Sequence, residues 1–78
     1  MRFSRHARNN MRLYKITEQD ILKVLEEPDS TSREGGRLSA FKKFSNMFSD
    51  YALKVVYERS KKDTTIITAY PLKKEHWR

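Results

Sequence analysis

The segment YALKVVYERSKKDTTIITAY, residues 51–70, decides the fold because it contains the two most regular strand patterns in the chain. Residues 51–58 (YALKVVYE) have the period of two that is typical of a half-buried strand, and residues 64–70 (TTIITAY) are rich in β-branched side chains. The polar connection over residues 59–63 fits a hairpin and is too short for a crossover helix. The sequence therefore predicts two antiparallel strands that are neighbours in one sheet.

A third strand is predicted before this hairpin, over residues 37–44 (RLSAFKKF), with a short polar connection over residues 45–50. Pro71 is expected to close the last strand. Residues 29–36 (DSTSREGG) are predicted to form a loop, because they are polar and contain the only two glycines of the chain. The carboxyl-terminal half is thus predicted to be a three-stranded antiparallel meander.

Two helices are predicted before the meander. Ser4 is the expected N-cap of the first helix, in which Ala7 and Met11 belong to an apolar stripe that ends at Tyr14. Thr17 is the expected N-cap of the second helix. That helix ends before Pro28 and is expected to bury Ile21, Leu22, Val24 and Leu25. The predicted fold is α+β in the order α-α-β-β-β, with both helices packed on one face of the meander.

The composition indicates one small domain, residues 1–78, with a polyanionic partner. With 78 residues and 37% hydrophobic side chains, the chain is long enough for a single core. Lysine and arginine number 17 against 10 acidic residues, which gives a net charge of +7 and favours nucleic acid as the partner. Residues 1–15 hold five basic and no acidic residues, whereas the second helix is acidic, so the surface charge is expected to be polarised.

Several kinds of site are excluded by the residues that the chain lacks. Without cysteine there is no disulfide, thiolate metal site or cysteine nucleophile, and two histidines alone make no convincing zinc site. We therefore expect no metal and no other cofactor. No apolar run approaches the roughly 18 residues that span a bilayer, so a cytoplasmic protein without a membrane partner is expected.

Two groups of basic residues are candidates for contacts with RNA phosphates. Three arginines recur along one stripe of the first helix, although most such stripes are only solvated. Three further cations belong to the first predicted strand, where they would equally serve to protect a sheet edge from aggregation. The predicted RNA-binding residues are Arg5, Arg8, Arg12, Arg37, Lys42 and Lys43.

Cleavage of RNA without a metal needs a base for the ribose 2′-hydroxyl, an acid for the leaving oxygen and cations around the transition state. Histidine titrates near neutral pH, lysine supplies a cation, and tyrosine supplies a phenol. The predicted catalytic residues are His6, Lys54, Tyr57 and Tyr70. Each has a structural alternative: His6 at the rim of the core, Lys54 on an exposed sheet face, and the tyrosines in aromatic packing.

The chain resembles an uncharacterised family of small prokaryotic and phage proteins in a spaced pattern of residues. The matching residues are His6-Ala7, Met11, Ile16-Thr17 and Pro28-Asp29. The segments LKVVY (53–57) and IITAYP (66–71) resemble the same family. That family is grouped with RelE-like and BrnT-like proteins, in which helices pack on a small antiparallel sheet and many members are ribonuclease toxins of toxin–antitoxin pairs. The resemblance implies a RelE-like fold, an RNA substrate on or off the ribosome, and an antitoxin partner.

The family often carries arginine at the positions of Asn10 and Tyr14, and here Arg8 and Arg12 would have to replace those cations. The first functional hypothesis is a metal-independent endoribonuclease that is a toxin or a toxin relative and binds RNA through a basic surface. The second hypothesis is a non-catalytic module of the same fold that binds nucleic acid or another protein. The missing arginines favour the second hypothesis.

Overall fold

The computed structural model describes residues 1–45 and 50–72. The chain begins with a short strand and two helices: β1 (Arg2–Phe3), α1 (Arg5–Tyr14) and α2 (Glu18–Glu26). Four strands follow: β2 (Ser30–Glu34), β3 (Arg37–Ser45), β4 (Asp50–Arg59) and β5 (Thr64–Leu72). All five strands belong to one sheet with the order β1-β5-β4-β3-β2. β1 is parallel to β5, and the other neighbours are antiparallel.

The predicted three-stranded antiparallel meander, and with it the order α-α-β-β-β, is wrong. The structure contains its three strands as β3, β4 and β5, but β2 and β1 extend the sheet at its two edges to five strands of mixed direction. Residues 29–36 are not a loop, because β2 and β3 form a hairpin around Gly35 and Gly36, with Gly35 at a φ of 61°. The side chains of β2 are exposed on both faces, so the strand lacks the apolar alternation by which strands are predicted.

The predicted helix starts are confirmed. The Ser4 hydroxyl accepts the Ala7 amide N–H at 3.0 Å. Thr17 accepts the Asp20 amide N–H at 3.1 Å, and the Asp20 carboxylate accepts the Thr17 N–H at 3.0 Å, which completes a capping box. Both helix starts are therefore stabilised by hydrogen bonds between residues that are only three positions apart in the sequence. Lys15, with a φ of 57°, ends α1 in the left-handed conformation.

Both helices pack on one face of the sheet, where the core lies. α2 buries Ile21 and Val24 completely, whereas Leu22 is 41% exposed, so the expectation that Leu22 is buried is wrong. Leu22 follows Ile21 by about 100° around the helix, which carries it out of the contact with the sheet. The core consists of Ala7, Ile21, Val24, Ala40, Leu53, Val55, Tyr57, Ile66 and Ala69.

The strands alternate between this core and the opposite face of the sheet, which we call the open face. Leu53 and Val55 of β4 belong to the core, so Lys54 between them points to the open face. Tyr70 of β5 and Phe41 of β3 are the register partners of Lys54 and lie on the open face as well. Phe41 is buried although it lies outside the core cluster, and Phe44 packs against the core. Met47 and Phe48, which with Phe41 and Phe44 are expected from the sequence mostly to complete the core, lie outside the described residues.

The two edges of the sheet differ. At the β5 edge the Ser4 amide N–H donates to the Ile66 carbonyl at 2.9 Å, and the Ser4 hydroxyl donates to the Ile67 carbonyl at 2.6 Å. Farther along β5, the Asn10 amide donates to the Ala69 carbonyl at 3.2 Å. Pro71, which was expected to close β5, continues it and pairs with Leu53, as a proline can on the side of a strand that needs no amide donor. No described strand pairs with the outer edge of β2.

Candidate nucleic-acid interface

The four predicted catalytic residues do not form one site. Lys54 and Tyr70 are register partners on the open face, so their side chains are neighbours. Tyr57 points to the other face of the sheet, where it is 7% exposed within the core. His6 is exposed on α1. The structure therefore brings Lys54 and Tyr70 together and separates them from Tyr57.

His6 is also separated from the arginines of its own helix. His6 and Asn10 lie one turn apart on the same flank of α1, and Asn10 contacts the edge of β5. Arg8 follows His6 by two residues, which places the two side chains about 160° apart around the helix at 100° per residue. A phosphate bound by the arginines of α1 would therefore not face His6.

The cations predicted on the first strand are dispersed. The Arg37 guanidinium is 3.5 Å from the Glu58 carboxylate, in an exposed pair across β3 and β4. Lys42 points to the helical side, and its ammonium group donates to the Glu27 carbonyl at 3.0 Å, at the carboxyl end of α2. Lys43, by alternation along β3, points to the open face. Arg37 and Lys43 therefore lie near opposite ends of β3 on the open face, and Lys42 lies on the helical side.

Two arginines, in contrast, lie over aromatic rings on the helical side of the sheet. The Arg8 guanidinium is 5.4 Å from the Phe3 ring centroid, and the Arg59 guanidinium is 5.6 Å from the Tyr57 ring centroid. Phe3 and Tyr57 are both register partners of Ile66, one from each side. The two rings thus belong to one row across β1, β5 and β4, two strand spacings or about 10 Å apart. Through this row, Arg8 of α1 and Arg59 at the end of β4 are positioned relative to each other.

The turn between β4 and β5 adds two lysines to these arginines. Its backbone is fixed because the Ser60 amide N–H and hydroxyl both donate to the Asp63 carbonyl, at 2.8 and 3.0 Å. Lys61, Lys62 and Arg59 line a depression of about 430 Å³, and its apolar lining comes from Met1, Leu22 and Leu25. The turn therefore presents cations beside an exposed apolar surface at the end of the helical layer.

The one acid of this turn is engaged by the start of the chain. The Asp63 carboxylate is 2.8 Å from the terminal amine of Met1 and 3.5 Å from the Arg2 guanidinium. The terminal amine, the Thr64 amide N–H and Arg2 stabilise the carboxylate, and together they lower the pKa of Asp63. The ion pairs of Asp63 are therefore with the terminal amine and Arg2 and not with Lys61 or Lys62.

We call the resulting group of cations the basic surface, and it combines residues of α1 with Arg59 at the end of β4 and two lysines of the β4–β5 turn. Arg5 and Arg12 lie on the α1 stripe of Arg8, about one turn before and after it. The basic surface consists of Arg5, Arg8, Arg12, Arg59, Lys61 and Lys62. Its α1 half was predicted, whereas residues 59–63 were interpreted only as a connection. The basic run RSKK (59–62) at the tip of a predicted hairpin is the sequence signal for the remaining cations, Arg59, Lys61 and Lys62.

Within residues 1–45 and 50–72, no group of three or more histidine or acidic side chains could hold a metal ion. None of the helices in those ranges is both long and apolar enough to cross a membrane. No curated protein and no solved structure is detectably similar to the chain. The family model described as Domain of unknown function (DUF4258) matches residues 3–71. Since this match covers nearly the whole sequence, the chain belongs to that family of uncharacterised domains.

Proposed function

We propose that this domain binds RNA and that the basic surface contacts the sugar–phosphate backbone. The observation that carries the proposal is the pair of guanidinium groups, Arg8 and Arg59, held over the rings of Phe3 and Tyr57 in one row. A guanidinium that lies over an aromatic ring keeps its N–H groups directed outward in its own plane, where they can donate in pairs to phosphate oxygens. The contacts with the rings therefore favour this orientation of both groups before a ligand arrives.

The net charge and its placement support the same proposal. The six cations of the basic surface come from α1, from the end of β4 and from the turn after it, and Asp63 of that turn is paired with the terminal amine and Arg2. Within the described residues, none of the six cations of the basic surface is paired with an acid of α2. Each phosphate that the surface neutralises on a single strand should add about −0.7 to the slope of log affinity against log salt.

The test measures the affinity of the whole chain for a single-stranded RNA oligonucleotide at several salt concentrations. The variants Arg8→Glu and Arg59→Glu should each weaken binding about tenfold or more and make the salt slope shallower. Arg33→Glu is the matched control, because Arg33 is an exposed residue of β2 and the same charge is reversed there. An equal loss in the control would mean that net charge, rather than the basic surface, attracts the RNA.

Metal-independent RNA cleavage is a second candidate function, favoured by the neighbouring Lys54 and Tyr70 on the open face. The resemblance to a family that is grouped with RelE-like and BrnT-like toxins supports the same activity and an antitoxin as a partner. The test is cleavage of defined RNAs in EDTA, with and without ribosomes, by the parent chain and by Lys54→Ala and His6→Ala. Cleavage that persists in Lys54→Ala would remove the role proposed for that residue. A folded parent that binds RNA and never cleaves it would leave the binding function alone.

A further inference from the structure

A depression of about 230 Å³ lies on the helical side, where α1 ends and α2 begins. Two tyrosines, a lysine and an aspartate contribute to its lining together with apolar side chains of β4 and β5. The lining includes Tyr14, Lys15, Asp20, Tyr51, Leu53 and Pro71. None of these residues belongs to the basic surface or to the open face, so the depression is separate from both candidate sites described above.

The two tyrosines present aromatic surface in different ways. The Tyr51 ring is stacked on the Phe44 ring, with 5.3 Å between centroids and 12° between planes, so its position is fixed by β3 and β4. Tyr14, the last residue of α1, is 48% exposed. Exposed aromatic rings beside a cationic groove are the platforms on which single-stranded nucleic acids stack their bases.

The polar groups of the depression suit an uncharged ligand with N–H donors. The Asp20 carboxylate accepts one N–H from the capping box through Oδ2 and has further lone pairs to offer. Burial, and to a smaller extent the charge of Asp20, raise the pKa of Tyr51, so its phenol is protonated at neutral pH and can donate. A carboxylate at this position repels a phosphate and can accept a hydrogen bond from the amino group of a base.

The stripe of cations on α1 leads to this depression. Arg8 is one turn from Arg12, and Lys15 follows Arg12 after three more residues. One turn advances about 5.4 Å, so the three cations are spaced along the helix towards the depression. Lys15 both ends this stripe and lines the depression. A backbone that follows the stripe from the basic surface therefore brings its bases to Tyr14.

We infer that the depression between Tyr14, Asp20 and Tyr51 receives one base of a single-stranded RNA whose backbone lies on the basic surface. This inference rests on the proposed RNA-binding function and specifies its ligand as single-stranded. The tyrosines contact the face of the base, and the Asp20 carboxylate accepts its exocyclic amino group. Cytosine, adenine and guanine carry such a group and uracil does not, so the first three bases are preferred.

The experiment compares oligocytidylate, oligouridylate and inorganic polyphosphate as ligands of the whole chain. Tyr14→Ala should weaken binding of oligocytidylate about 5- to 100-fold, the range that stacking on one aromatic ring supplies, and should leave polyphosphate binding unchanged. Leu13→Ala is the matched control, because Leu13 precedes Tyr14 and is 69% exposed. Asp20→Asn should reduce the preference for oligocytidylate over oligouridylate, and thermal unfolding confirms that each variant is folded.

The outcomes separate the two proposals. If Tyr14→Ala binds oligocytidylate as tightly as the parent while Arg8→Glu does not, the base site is wrong and the RNA-binding proposal stands. The base site is equally wrong if Tyr14→Ala weakens RNA and polyphosphate by the same factor, or if the parent binds oligocytidylate and oligouridylate equally. If the folded parent binds none of the three ligands, both proposals fall.

Discussion

The guanidinium group of Arg8, on the second turn of α1, lies 5.4 Å from the ring centroid of Phe3 in β1. This contact orients a cation of the basic surface from within the sheet. Phe3→Leu keeps an apolar side chain against the core and removes the ring. Since an exposed cation–π contact contributes about 0.5–1 kcal/mol, we expect RNA affinity to fall about two- to fivefold.

Titration of the single-stranded RNA oligonucleotide with the Phe3→Tyr variant provides the control, because tyrosine retains a ring under Arg8. Phe3→Tyr should bind like the parent. If Phe3→Leu and Phe3→Tyr bind equally well, the ring does not orient Arg8.

Asn10 should contribute more to stability than the asparagine before it. Its side-chain amide donates to the Thr68 hydroxyl and to the Ala69 carbonyl, both at 3.2 Å. Asn10→Ala removes both hydrogen bonds, and we expect the free energy of unfolding to fall by about 1–2 kcal/mol. Asn9→Ala is the matched control, since Asn9 is exposed on the same helix. Urea unfolding of both variants measures the difference, and equal losses would contradict the proposed role of Asn10 at the β5 edge.

Lys42 should act on stability rather than on RNA binding. Its ammonium group donates to the Glu27 carbonyl at 3.0 Å, at the carboxyl end of α2, where a cation also interacts favourably with the helix dipole. Lys42→Met should lower the free energy of unfolding by about 0.3–1 kcal/mol. It should leave RNA affinity closer to that of the parent than Lys61→Met does. A greater loss of affinity in Lys42→Met would place Lys42 in the RNA interface.

The contact between Asp63 and the terminal amine of Met1 predicts a loss of stability in acid. The pKa of Asp63 in the folded chain is lower than its ordinary value of 3.8, chiefly because of the hydrogen bond from the terminal amine. The stability that the ionised Asp63 carboxylate contributes to the folded chain is complete above the pKa of the unfolded chain. It is lost as the pH falls from 3.8 through the lower pKa of the folded chain. Thermal unfolding at several pH values should show a smaller acid-dependent decrease for Asp63→Asn than for the parent. Identical decreases would contradict this assignment.

The features that local sequence determines were predictable. Ser4 and Thr17 cap their helices through contacts only three residues away, and the period of two over residues 51–58 reflects the burial of one face of β4. β2 lacked such a signal because both of its faces are exposed, although Gly35 and Gly36 form a turn typical of hairpins.

The basic surface depends on contacts that no local pattern reveals. Phe3 and Tyr57 are far apart in the sequence and share one row only because both pair with Ile66. The parallel pairing of β1 with β5 rests on two residues, too few to form a periodic pattern. The arginines of α1 were predictable as cations, but the row that relates Arg8 to Arg59 follows from the pairing of β1 and β4 with β5.

The difference between the two edges of the sheet limits how copies of this domain can associate. Strand-by-strand growth requires two free edges on each molecule, so that every added copy offers a new edge to the next. The two-residue β1, Ser4 and Asn10 cover the β5 edge, so the five-residue β2 is the longer of the two strands that end the described sheet. Pairing through β2 would therefore consume the available edge of both partners, and such assembly would stop at a closed dimer instead of extending into a fibre.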